Sequence, residues 1–123
     1  VVPVQWQQRW TVPSRLTEKQ VRDPVVAWHK AHGGLHERNH KGRGAATGWP
    51  DDRFYFGSGH CYMVEFKATN GTTSARQAYI IKLLKAAGHD VDIHNKPDEA
   101  LRALAQRMDT FGGAGIGSRT PHP

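Results

Sequence analysis

A single cysteine, Cys61, leaves this chain unable to close an internal disulfide. Two methionines are the only other sulfur, so soft-metal binding is poorly provided for and a reducing, intracellular setting is expected. No run approaches the ~20 apolar residues that a membrane-spanning helix needs, and no membrane association is expected. The segment Val1 to Trp10 lacks a basic stretch leading into an apolar one and does not resemble a secretory signal. It also lacks an initiating Met, so a trimmed or engineered start is expected. Acidic residues are the minority: 11 Asp and Glu face 17 Lys and Arg, for a net charge of +6. On a chain of 123 residues, enough for one hydrophobic core but not two, that excess favours a polyanionic partner such as nucleic acid.

Hydrophobic patterning divides the chain into an arm, a domain and a tail. Residues 1–14 show no period and carry Trp6 and Trp10, which are expected to pack on the domain or on a second subunit. Thr17 and Gln20 make a capping-box pattern that opens a helix, with Glu18, Val21, Val25 and His32 on one face. Pro24 implies either a kink or a break into helices over 17–22 and 24–32, ended by Gly33 and Gly34. A short strand over 35–39 leads into the basic, glycine-rich stretch His40–Gly48. Strands over 52–56 and 61–67, joined by Gly57-Ser58-Gly59, form a hairpin. Ser74 caps a helix over 75–87 with the stripe Ile80, Ile81, Leu84 and Ala87, and Gly88 closes it. Val91 and Ile93 mark a strand over 90–94. Pro97 starts a last helix through about Met108, with Ala100, Leu101, Leu104 and Ala105 inward. The domain thus covers 15–109, and Gly, Ser, Thr and Pro make 110–123 a flexible tail. A helix between the strands at 61–67 and 90–94 makes those two parallel. The expected fold is α/β, a small mixed β-sheet flanked by helices.

Chemistry concentrates on the strand Tyr62-Met63-Val64-Glu65-Phe66-Lys67. Alternation puts Glu65 and Lys67 on one face, ~7 Å apart along the strand, and sends Val64 and Phe66 into apolar packing on the other. A carboxylate and an ammonium on an interior strand are costly unless paired, hydrated or bound to metal. Asp51, at the entrance to the partner strand, comes beside Glu65 when the hairpin folds. Two carboxylates, the Phe66 backbone carbonyl and water suit a hard cation, Mg²⁺ or Mn²⁺ rather than Zn²⁺. Such an ion polarises a phosphodiester and acidifies a bound water. Lys67 would orient that water or offset the charge that develops on phosphorus. Taken alone, Glu-x-Lys on a strand is more often an exposed ion pair, and Pro50-Asp51 an ordinary turn; their placement on facing strands of one hairpin is what makes them unusual. Asp52 should face away from Glu65, although a shift of one residue would exchange it with Asp51.

Gly48-Trp49-Pro50-Asp51, the hairpin, Val64-Glu65-Phe66-Lys67, then Gly71, Ser74, Gln77, Gly88 and Val91-Asp92-Ile93 together resemble the VRR-NUC family of PD-(D/E)xK nucleases over about 17–105. The resemblance implies a restriction-endonuclease-like core. It implies that Asp51 and Glu65 bind metal, that Lys67 is the catalytic lysine, that Gln77 stands beside the active site, and that Glu18 completes the metal shell. Gln77 also has the place of a capping-box partner for Ser74, and Glu18 that of a first-turn acid favoured by the helix dipole; both alternatives stand. Small proteins similar to this family are typically phage or bacterial, act as dimers and cut branched DNA. The implied function is therefore a divalent-metal-dependent DNA endonuclease, Holliday junction resolvase-like, in the cytoplasm of a bacterial or phage-infected cell. A homodimer fits, because cutting two strands symmetrically needs two sites. The alternatives are a nicking or sequence-specific endonuclease on the same fold, or a non-catalytic DNA-binding module.

Lys41 and Arg43 are candidate phosphate contacts just upstream of Asp51, with a solvated charged loop as the alternative. His60, at the start of the central strand, is a candidate substrate contact or a turn residue. His32, His36 and His40 are read as surface or phosphate-contacting groups, and Lys82 and Lys85 as solvent-facing.

Overall fold

The computed structural model describes residues 14–39 and 48–113. The Trp arm and the stretch containing His40, Lys41 and Arg43 therefore lie outside the described residues, as does the tail beyond Gly113. The element order is α1 (Glu18–Ala31), β1 (Leu35–Arg38), β2 (Asp52–Tyr55), a 3₁₀ turn (Gly57–Gly59), β3 (Cys61–Phe66), α2 (Ala75–Ala86), β4 (Asp90–His94) and α3 (Pro97–Phe111). The strands form one mixed sheet in the order β1-β2-β3-β4. The first three are antiparallel neighbours, and β3 and β4 run parallel, joined through α2. Among the described residues no helix is long and apolar enough to cross a membrane.

Period-two alternation on β3 sorts the core into two halves. Tyr62, Val64 and Phe66 join Phe54 and Phe56 on one face, against Val21 and Val25 of α1 and Ala100 and Leu104 of α3. Met63 joins Val91 on the other, against Ile80, Ile81 and Leu84 of α2. The result is three layers: α1 with α3, the sheet, and α2. Every residue of β3 from Tyr62 to Phe66 is buried, Glu65 among them. A strand covered on both faces reads as a continuous apolar run, and a charge within it stands out.

Helix α1 is one continuous helix, not two. Its N-terminus carries the expected capping box: Gln20 N donates to the Thr17 hydroxyl at 3.2 Å and Thr17 N to Gln20 Oε1 at 2.9 Å. Pro24 is accommodated because the acceptor it leaves without an N–H belongs to Gln20, and both residues are on the exposed side of the helix. The buried stripe is Val21, Arg22, Val25 and His29, not the expected path to His32, which is exposed and stacks on Trp28 at 4.1 Å. On β4 only Val91 is buried, and Ile93 stays exposed. The last helix runs past Met108 to Phe111, and Gly113 bridges Phe56. Gly57 N donates to Gly112 O and ties the helix end to the hairpin.

His29 has no solvent exposure. Its Nε2–H is shared between the carbonyls of Leu35 and Tyr55, each at 3.1 Å, which joins α1 to the edge of the sheet. Burial holds its imidazole below the ordinary value of 6.5, against the opposing pull of those carbonyls. A histidine with a depressed folded pKa contributes its full stability above the unfolded value and loses it as pH falls below that value. We expect chemical-denaturation stability to decline as pH falls from about 6.5 toward 5, with a smaller decline in His29→Gln. A β-carbon at Gly34 would land on the His29 ring, so Gly34→Ala should lose about 1–3 kcal/mol in the same measurement. An unchanged midpoint would contradict the packing described.

Candidate metal centre

The register of β2 on β3 decides which aspartate meets Glu65. Asp52 pairs with Val64, so the next step along the ladder sets Asp51 opposite Glu65. Asp52 points to the other face, as alternation requires, where its Oδ1 accepts from His36 Nε2 at 2.6 Å. This pair is almost wholly sheltered from solvent, so His36 is an internal partner and not the surface group expected from its spacing.

The described residues contain one group of potential metal ligands: Glu18, Asp51 and Glu65 each offer a carboxylate oxygen, all within 4.8 Å of one another. They come from the first turn of α1, the entrance to β2 and the end of β3. Glu18 reaches them because two hydrogen bonds tie the chain before α1 to the loop after β3: Leu16 N to Thr69 Oγ1 at 2.8 Å, and Thr69 N to Leu16 O at 3.0 Å. Asp51 and Glu65 are only 3% and 1% exposed, and Glu18 is half-buried. Three carboxylates this close repel one another and favour a cation between them. The donors are all hard oxygens. Opposite ligands of an octahedral Mg²⁺ stand about 4 Å apart, so the spacing fits Mg²⁺ or Mn²⁺ after a small side-chain adjustment. Phe66, whose carbonyl was the fourth expected ligand, ends β3 with its side chain in the α1–α3 core.

Lys67 follows directly, its amide anchored by donation to His94 O at 2.9 Å. Its Nζ lies 3.5 Å from Glu65 Oε2 and donates to Gln77 Oε1 at 2.7 Å. Gln77 in turn donates from Nε2 to Glu65 Oε2 at 3.3 Å. The same Gln77 Oε1 accepts from Ser74 N at 3.0 Å, while Gln77 N donates to Ser74 Oγ at 3.1 Å. The two roles open to Gln77 in the sequence therefore coexist. Its carbonyl oxygen serves the helix cap and the lysine together, and its amide nitrogen serves the carboxylate.

Not every candidate gathers here. His60 lies at the other end of β3, roughly 17 Å from Glu65 at ~3.3 Å per residue. There it stacks on Phe111 at 3.7 Å and donates to Asp90 at 2.7 Å. That places it in a second polar network. Arg107 sits over the Tyr62 ring at 3.6 Å and chelates Asp90 at 2.6 and 2.8 Å, and Tyr62 donates to Asp92 at 2.6 Å. Burial raises the carboxyl of Asp90, but the bonds from Arg107 and His60 prevail and hold it below its usual range. Burial and the bond to Asp92 push the Tyr62 hydroxyl far up, so it stays protonated as a donor. This network fastens α3 to β4. Lys41 and Arg43 lie outside the described residues, between Asn39 and Gly48. Both flanks lie near the centre: Asn39 N donates to Asp51 O, and Gly48 stands three residues before Asp51 in the chain.

Gln77→Ala should cost about 1 kcal/mol of stability through the lost cap and release Lys67. Gln77→Glu should keep the cap and set a further carboxylate beside Glu65, raising the thermal midpoint's sensitivity to Mg²⁺. Equal loss of stability in both variants would show that the cap does not use this oxygen.

No family model, curated protein or solved structure matches the chain, and the reading of the centre rests on its own geometry and chemistry.

Proposed function

We propose that the protein is a divalent-metal-dependent DNA endonuclease with a PD-(D/E)xK centre on a restriction-endonuclease-like core, related to the VRR-NUC family. One observation carries the reading: carboxylates from three separate segments, Glu18, Asp51 and Glu65, converge within 4.8 Å, with the Lys67 ammonium 3.5 Å from Glu65. A solvated ion pair on a strand does not gather two further carboxylates, nor bury its acid to 1% exposure. The net charge of +6 supports a polyanionic substrate.

In this reading Glu18, Asp51 and Glu65 hold Mg²⁺ or Mn²⁺, which supplies Lewis-acid polarisation of the phosphodiester and acidification of water. Lys67 Nζ, held in place by Gln77 Oε1, donates toward the negative charge that builds on the phosphate oxygens. Gln77 keeps the ammonium from collapsing fully onto Glu65, which preserves both groups for their separate tasks. Low water content around Asp51 and Glu65 strengthens each of these interactions. Branched DNA is the favoured substrate, with a homodimer bringing two centres to opposed strands.

A labelled four-way junction and a linear duplex of the same sequence, incubated with Mg²⁺, Mn²⁺ or EDTA, test the proposal. Paired, metal-dependent cuts confined to the junction are expected. Lys67→Ala should reduce the rate about 100- to 1000-fold, and Glu65→Ala should abolish cutting. Equal cutting of both substrates would remove the preference for junctions, and no cutting by the intact protein in any metal would leave a DNA-binding role without catalysis. Separately, Mn²⁺ at a hundred times its dissociation constant should stabilise the fold by about 2.7 kcal/mol. Asp51→Asn should lose most of that gain; an equal gain in the variant would place the ion elsewhere.

A further inference from the structure

We propose that Thr69 is the positioning residue for the third carboxylate: by clamping Leu16 it sets Glu18 against Asp51 and Glu65, and the affinity of the centre for its divalent cation depends on that clamp. The assignment rests on the metal reading above and names a residue that touches neither ion nor substrate. The ladder of β2 on β3 sets Asp51 and Glu65 side by side. Glu18 has no such ladder. It stands at the first position of α1, and it joins the group only as well as the start of that helix is held against the sheet.

The capping box does not supply that hold. Thr17 and Gln20 bond to each other and close the helix start upon itself. Thr69 bonds it to the loop after β3. Its Oγ1 accepts from Leu16 N at 2.8 Å, and its own N–H donates to Leu16 O at 3.0 Å. One residue thus takes both backbone groups of Leu16, which fixes the direction of the chain as well as its place. Glu18 is the second residue after Leu16, at most ~7 Å away along an extended chain, so little slack separates the clamp from the carboxylate.

Thr69 is itself held from the far side. Asn95 Nδ2 donates to Thr69 O at 3.3 Å, and Lys67 N donates to His94 O at 2.9 Å. Gly71 N donates to Ala68 O at 2.8 Å and closes the turn that carries Thr69. The end of β4 therefore holds the loop, and the loop holds Leu16. A β-branched side chain has few χ1 rotamers, which keeps the Thr69 hydroxyl aimed at its donor. Octahedral Mg²⁺ tolerates little error in ligand placement. A small displacement of the helix start would take Glu18 out of the shell and leave Asp51 and Glu65 where they are.

Titration of the metal-free protein with Mn²⁺, followed by loss of the free ion's paramagnetic resonance signal, tests the assignment without DNA. Circular dichroism checks that each variant is folded. Thr69→Val keeps the side-chain shape and removes the hydroxyl. It should weaken Mn²⁺ binding about tenfold, and Thr69→Ser should restore it. Glu18→Gln should weaken binding to a similar degree. Adding Thr69→Val to Glu18→Gln should cost nothing more, because the clamp acts through Glu18. Asn95→Ala, which loosens the loop from the far side, should also weaken binding, and again only while Glu18 is present. A folded Thr69→Val that binds Mn²⁺ as the wild type does, or that loses the same factor with and without Glu18, would overturn the proposal. Should Thr69→Val not fold, either result in Asn95→Ala would do so. Because the readout is metal binding, the two proposals separate. A wild type that shows this coupling but cuts no DNA would sink the nuclease reading and uphold the clamp. Metal-dependent cutting without the coupling would do the reverse, and a wild type that binds no Mn²⁺ would sink both.

Discussion

The rest of the centre depends on a carboxylate buried inside a sheet. Glu65 occupies an interior strand of the sheet between two helical layers, with Val64 and Phe66 on either side of it in sequence committed to the opposite face. An isolated ionised carboxylate in such a position costs several kcal/mol. Neighbours must therefore be supplied, and the fold supplies them from both sheet and helix. Lys67 comes from the position just past the end of β3, Gln77 from the crossover helix, and Asp51 from the residue just before the antiparallel neighbour. The apolar residues of β3 cannot shift by one position without exchanging the two faces, so core packing holds the register that sets Asp51 against Glu65.

Gln77 shows how local and tertiary requirements share one side chain. A capping box alone would leave its amide nitrogen turned to water. Here that nitrogen meets Glu65, while the oxygen holds both the Ser74 amide and the Lys67 ammonium. The start of α2 and the electrostatics of the centre are thus one hydrogen-bonded unit. The polar network of Asp90, Arg107, Tyr62 and Asp92 plays a different part at the α3–β4 contact, where each charge is answered by another and no group is turned toward the three carboxylates.

The sheet and the centre were legible because period-two alternation on β3, the glycine-rich turn and the Ser74 cap are local signals that the tertiary structure reinforces. The parallel pairing of β3 with β4 followed from the intervening helix. Asp51, rather than Asp52, was legible from alternation once the hairpin was recognised. What escaped was of another kind. The burial of His29 depends on two carbonyls, Leu35 and Tyr55, that no pattern in α1 announces. The continuity of α1 through Pro24 depends on which way that turn faces. The extension of α3 to Phe111 depends on a bridge to Phe56 from across the chain. His60, open in the sequence as a substrate contact or a turn residue, stands at the end of β3 away from Glu65, against Asp90 and Phe111.

The hydrogen bonds between Leu16 and Thr69 bear on how the protein comes into being. They bring Glu18, among the earliest residues of the domain, to a centre whose remaining parts are made much later. Asp51, Glu65 and Gln77 follow in that order, and no contiguous half of the domain holds them all. During synthesis, a chain that has left the ribosome only as far as the hairpin has its acids but not the helix that steadies Lys67. The centre is completed only after α2 has emerged and packed, which ties its assembly to the arrival of most of the domain.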